Sequence, residues 1–191
     1  MKTRFLGLLS AALFAAGILL GAASTAFAHS MPYEEATLIL DDVVGGGLSE
    51  LTPRKSTLAD AKRAIVRADL AHDHQRDEFT ADGFRFVTCT FHYCEKFVFR
   101  SIADAKSTYT EDKLAITSYD VFGGSARTLS GFHVGMEYAD VTAKYGEASS
   151  MSKNRLPFVS YTYTFTSMDA DLTFDVDREG IIRVIRFRSE I

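Results

Sequence analysis

The chain has 191 residues, with 21 Lys plus Arg against 25 Asp plus Glu and a formal net charge of −4. That balance argues against a nucleic-acid binder, which carries a positive field over its contact surface. Hydrophobic residues make up 47% and aromatic residues 12%, with 3 Pro in all, so the composition is that of a folded chain rather than a disordered one.

The first 28 residues read as a secretory leader. Lys2 and Arg4 supply the positive start, Phe5 to Ala22 is nearly all apolar, and Ala26-Phe27-Ala28 has the small-x-small pattern of a cleavage site. Cleavage near Ala28 leaves 163 of the 191 residues, beginning at His29. It removes two basic groups, which takes the net charge from −4 to −6. No later apolar run is long enough to span a bilayer. The expectation is an exported protein, periplasmic or extracellular, with one domain over 29–191 and no membrane span in the mature chain.

Thr37–Val44 is apolar and β-branched and reads as a strand, with a short helix starting near Pro32 as the alternative, and the glycines at 45–47 end it. Thr52–Arg67 reads as the first helix. Thr57 followed by Asp60 is an N-terminal capping pattern, and Leu58, Ala61 and Ile65 form an apolar stripe. Residues 68–83 are charged and read as a connection closed by the turn pair Asp82-Gly83. The period then falls from about 3.6 to 2, which predicts strands over Phe84–Phe91, Lys96–Arg100 and Leu114–Phe122. A second helix is predicted over Glu137–Tyr145. Tyr138, Val141 and Tyr145 share one face, Gly135 precedes it, and Gly146 ends it. Strands over Phe158–Thr166, Asp171–Val176 and Ile181–Arg188 close the chain, the last two joined by a polar turn ending in Gly180.

The two halves align. Leu58, Ala61 and Ile65 correspond to Tyr138, Val141 and Tyr145, and Ala59-Asp60 matches Ala139-Asp140. Upstream, Asp42-Val43-Val44-Gly45-Gly46 matches Asp120-Val121-Phe122-Gly123-Gly124. These matches predict an α+β fold of two tandem repeats, about 37–113 and 114–191. Each would hold a short helix and about three antiparallel strands, with both helices on one face of a shared sheet and the other face free.

Gly131, Gly135, Met136, Asp140, Val141, Tyr145 and Gly146, with the strands carrying Tyr161, Tyr163 and Leu172–Phe174, form a pattern that resembles the β-lactamase-inhibitor-protein-like (BLIP-like) families. Those include the BamE/SmpA-type outer-membrane assembly lipoproteins. The first half matches more loosely, with Lys55-Ser56 where the second has Gly135-Met136, and Glu147 replaces the proline that often follows the helix glycine. No lipobox cysteine is present, so membrane anchoring does not carry over. The resemblance implies a non-enzymatic protein whose sheet face binds another protein.

Two cysteines, Cys89 and Cys94, flank Thr90-Phe91-His92-Tyr93, and an even count in an exported chain points to a disulfide across a hairpin. The rival readings are a reduced redox pair, for which C-x-x-C is absent, and a metal site of Cys89, His92 and Cys94 with His72 or His74 as a fourth ligand. That spacing matches no structural zinc pattern, and nothing in the sequence ties His72 or His74 to the hairpin. His29 at a cleaved N-terminus could chelate copper, and His133 has no acid or nucleophile placed beside it. No hydrolase, metalloprotease or phosphate-loop motif occurs.

Arg183, Arg186 and Arg188 are candidate contacts to an acidic partner, and Val159, Tyr161, Tyr163 and Phe165 form an aromatic strand that reads as core or as a recognition face. The functional expectation is a non-catalytic binding module for another protein, such as an enzyme that it inhibits, with no cofactor. The alternatives are a cell-envelope structural or assembly factor, and a metal-binding or redox protein acting through the Cys89/Cys94 hairpin.

Overall fold

The computed structural model describes residues 30–70, 73–92, 95–155 and 157–189. The leader, His29, His72 and Cys94 lie outside the described residues. In chain order the elements are β1 (Leu38–Asp42), β2 (Gly47–Leu51), α1 (Leu58–Arg67), β3 (Asp73–Ala81), β4 (Phe84–His92), β5 (Lys96–Asp104) and β6 (Ser118–Val121). There follow β7 (Ala126–Thr128), α2 (Tyr138–Tyr145), β8 (Ser150–Arg155), β9 (Phe158–Phe165), β10 (Ala170–Val176) and β11 (Ile182–Ser189).

These strands form an eight-stranded sheet, in the order β3-β4-β5-β6-β11-β10-β9-β8, and a three-stranded sheet, in the order β2-β1-β7. Every pairing is antiparallel. This corrects the expected architecture. The protein is mostly β, with eleven strands and only two short α-helices among the described residues, and not a pair of helix-plus-three-strand repeats.

The strands that the sequence reading lacks have one thing in common. β3 and β8 are the two edges of the large sheet, and β2 and β7 are the two edges of the small one. An edge strand has a neighbour on one side only and is often guarded by charge, so no apolar alternation marks it. β3 reads DHQRDEFTA and is exposed over eight of its nine positions. It is joined to β4 by the two-residue turn Asp82-Gly83, where both residues have positive φ (52° and 81°), as a tight hairpin requires.

The core lies on one face of the large sheet, under the small sheet and both helices. α1 starts later than Thr52, because residues 53–55 form a turn. The Thr57 hydroxyl accepts from the Asp60 backbone N–H at 3.2 Å, and the Asp60 carboxylate accepts from the Thr57 N–H at 2.8 Å. That reciprocal box fixes the helix start. Leu58, Ala61, Ala64 and Ile65 are buried. α2 lacks a side-chain cap at Glu137 and is held by packing instead. Its Tyr138 ring stacks on Tyr161 of β9 at 4.2 Å, the Tyr138 and Tyr163 hydroxyls lie 3.1 Å apart, and Val141 is fully buried. Gly146 closes it with φ 74°.

Candidate binding face of the large sheet

Side chains alternate across each strand of the large sheet. Cys89 and Phe91 of β4, Phe97 and Phe99 of β5, Tyr119 and Val121 of β6, Ile185 and Phe187 of β11 and Leu172 and Phe174 of β10 point into the core and are buried. Their neighbours point to the opposite, outer face. The paired registers bring Arg100 beside Ser118, Val98 beside Asp120, Asp120 beside Arg186, and Arg186 beside Thr173.

At the centre of the outer face two aspartates are surrounded by three arginines. Asp120 accepts from Arg100 Nη1 at 2.8 Å, lies 3.4 Å from Arg186 Nε, and pairs with Arg188 Nη2. Asp175, with no solvent exposure, pairs with Arg186 Nη1 and accepts from the Ser160 hydroxyl at 2.7 Å. The Arg186–Asp175 contact is an ion pair without the angle of a hydrogen bond at Asp175 Oδ2. Burial pushes the Asp120 carboxyl upward, but Arg188 and Arg100 outweigh it and hold the group below the usual carboxylate range.

The three arginines that the sequence nominated are therefore not alike. Arg186 is largely enclosed, with 13% of its side chain exposed, and serves the two aspartates. Arg188 and Arg100 keep 43% and 35% of their side chains exposed, and Arg188 Nη1 also donates to the Phe187 and Tyr119 carbonyls at 2.7 and 2.8 Å. Arg183 sits apart and pairs with Asp177 of the β10–β11 turn at 2.7 Å. Arg100, Asp120 and Asp175 were not singled out from the sequence. Each is a charge inside an otherwise apolar interior strand, at the outward parity, and that parity was the signal available.

Toward the β3–β4 turn the outer face carries a small apolar group, while Asp77 and Thr88 continue it beside Arg100. Phe79 of β3 stacks on its cross-strand partner Phe86 at 4.8 Å, and Ile102 lies opposite Phe86 on β5. Phe79 is 60% exposed and Phe84, at the adjoining turn, 41%. On the other side of Arg186 the face carries hydroxyls, with Thr162 and Thr173 paired at 3.0 Å. A second exposed apolar group, Val43, Val44 and Leu48, lies at the β1–β2 turn of the small sheet.

The stretch around Gly135, Tyr138, Val141, Tyr145 and Gly146 builds a polar clamp and part of the core. Glu35, 1% exposed in the turn before β1, accepts from the Ser130 N–H at 3.0 Å, the Ser130 hydroxyl at 2.6 Å, the Tyr145 hydroxyl at 2.7 Å and the Thr128 hydroxyl. Lys144 donates to the Ser130 oxygen at 2.6 Å. Burial, with Glu35 adding to it, pushes the Tyr145 phenol up to about 12. His133 only bonds back to the Val134 carbonyl, at 2.9 Å.

Cys89 is a free, buried thiol, and Cys94 lies outside the described residues. Burial, then Glu111, pushes the Cys89 thiol up to about 11. The segment that seemed unconnected to this hairpin is joined to it: β3 pairs with β4 throughout, and His74 stacks on Phe91 at 5.4 Å.

No protein family matches the chain by sequence, and no curated protein does. Among solved structures it is similar to a DUF4309-family protein from Bacillus subtilis, at 15% identity and a TM-score of 0.40, over 73% of this chain and 82% of that one. It is also similar to an extracellular SCP-domain-containing protein from Bacillus anthracis, at 11% identity and a TM-score of 0.35, over 68% of this chain and 43% of that one. A cysteine-rich secretory protein from Staphylococcus aureus gives 11% identity and a TM-score of 0.36, over 73% of this chain and 48% of that one. The chain thus matches less than half the length of the latter two. No helix among the described residues is long and apolar enough to cross a membrane.

Proposed function

We propose that this is an exported, non-catalytic module that binds another protein on the outer face of its eight-stranded sheet. The observation that carries the reading is the make-up of that face. The exposed Phe79 and Phe84, with the half-buried Phe86 beside them, share a face with the part-exposed side chains of Arg100 and Arg188. Aromatic residues and arginine are the residue types enriched in the energetic centres of protein interfaces. The partner is a protein presenting apolar side chains beside a carboxylate: the rings take the apolar part, and the part-exposed side chains of Arg100 and Arg188 take the acid. The leader-like N-terminus and the resemblance to BLIP-like proteins support export and protein binding. The functional test is affinity capture from culture medium and envelope extract, run in parallel with wild type and Phe79→Ser/Phe84→Ser. A stoichiometric partner held by wild type and lost at least tenfold by the variant supports the reading. Equal recovery by both overturns it.

A further inference from the structure

We propose that His74, Cys89 and Glu111 form a binding site for zinc or a similar tetrahedral divalent cation. This goes beyond the outer-face reading and is independent of it, because the site opens on the other side of the sheet. The three donors come from β3, β4 and the loop after β5, and their ligand atoms all lie within 4.8 Å of one another. Tetrahedral zinc with bonds of about 2.0–2.3 Å needs ligand separations of about 3.3–3.8 Å. Closing the triangle therefore asks for side-chain adjustments of about 1 Å.

Each donor is placed by its surroundings. Arg76 is the cross-strand partner of Cys89, so His74 stands diagonally beside the thiol on the same face of the sheet. Phe91 stacks on the His74 ring at 5.4 Å with planes 28° apart and limits its rotation. Glu111 is anchored through its backbone, where its carbonyl accepts from the Ala59 N–H at 3.2 Å. A surface depression lined by Ala59, Arg76, Tyr109, Thr110, Glu111 and Asp112 opens at Glu111, one of the three donors.

The charges also balance. One thiolate, one carboxylate and a neutral imidazole cancel a divalent cation, which suits a half-enclosed position. Binding would form the sulfur–metal bond and release the Cys89 proton to water, with a water molecule completing the tetrahedron. Two cations face the site, Lys62 and Arg76, and the Arg76 Nε lies 3.4 Å from Glu111. Arg76 also pairs with Glu78, so it keeps a counter-ion when Glu111 turns to the metal. The chemistry of sulfur, imidazole and carboxylate favours zinc over magnesium or calcium, which take oxygen ligands.

The test uses the full chain with both thiols reduced and metal removed by a chelator, titrated with Co²⁺ as the optical probe. The expected result is a thiolate-to-cobalt charge-transfer absorption that saturates at one ion per chain and is displaced by Zn²⁺. Cys89→Ala abolishes it. His74→Gln and Glu111→Gln weaken binding tenfold or more, and these two partly exposed positions decide the matter if Cys89→Ala fails to fold. His92→Gln leaves binding unchanged, since β4 alternation puts His92 on the outer face. No absorption in folded protein whose two thiols both titrate, absorption that survives Cys89→Ala, or binding indifferent to both surface variants each overturns the site.

Discussion

Glu35 and the Asp120/Asp175 pair are all buried carboxylates, held in opposite ways. Glu35 is surrounded by neutral donors from the Thr128–Ser130 segment and from Tyr145, 93 to 110 residues away in sequence. It ties the N-terminal turn to α2, so its bonds exist only when the tertiary structure is complete. Asp120 and Asp175 are held by arginines one strand away, at positions that sheet register brings together. Two of those arginines keep part of their side chains in water. The difference is what remains when the carboxylate is removed: stranded donors inside the core at Glu35, and cations that can turn outward on the sheet face.

The largest expected effect follows from that contrast. Glu35→Ala leaves the Ser130 and Tyr145 donors without their acceptor and opens a cavity, at about 1–3 kcal/mol per stranded group, or about 3–5 kcal/mol in all. Urea unfolding should show the midpoint falling with the slope unchanged. Asp120→Ala should cost less, about 1–3 kcal/mol, since Arg100 and Arg188 are part-exposed and the enclosed Arg186 keeps Asp175 as a counter-ion. Equal losses at the two sites would erase the distinction drawn here.

Titration separates the regions at opposite ends of the pH scale. The Asp120 carboxyl is lowered on folding, so its contribution is present above the unfolded value of about 3.9 and is lost as pH falls through the folded one. The buried phenols of Tyr119, Tyr138, Tyr145 and Tyr163 are raised. Their contribution is complete below the unfolded value of about 10 and is lost as pH rises through the folded values, about 12 for Tyr145. Stability should therefore fall off in acid, with Asp120 on the outer face and Asp60 at the α1 cap both contributing, and in alkali through the buried phenols of the core side. With 8 Tyr and no Trp in the chain, phenolate absorbance can follow the alkaline limb directly. Replacing Tyr145 with Phe should weaken that limb and leave the acid limb in place.

The smallest effect distinguishes the two helices. Thr57→Ala removes a complete capping box and should cost about 1 kcal/mol. Glu137→Ala, at a position that makes no side-chain cap bond, should change stability by only about 0.5 kcal/mol or less in thermal melts.

Legibility in the sequence followed burial. Strands with neighbours on both sides, such as β4, β9 and β10, carry an inner row of apolar residues and read as strands at once. β3 and β8 carry polar or charged residues over most of their length, because nothing covers them and an exposed edge must be kept from pairing with other chains. Without the edges, eleven strands read as two smaller helix-and-strand units. The arginines of β11 were visible, but Asp120 and Asp175 were not, because pairing across strands is invisible to a linear pattern. The same limit hid the partnership of His74 with Cys89, which depends on the unread strand β3. Glu35 left no signal at all, since its partners lie more than ninety residues away.

The central claim is that the outer sheet face, and not the helix side, receives the partner. Side-chain oxidative footprinting of the protein alone and with its captured partner tests this most directly, because exposed apolar groups report from both sides. Phe79 and Phe84 mark the outer face, while Val44, Leu48 and Val66 mark the small sheet and α1. Protection of Phe79 and Phe84 on binding, with Val44, Leu48 and Val66 as reactive as before, is the predicted result. Protection of Val44, Leu48 or Val66 with Phe79 and Phe84 left reactive would contradict it.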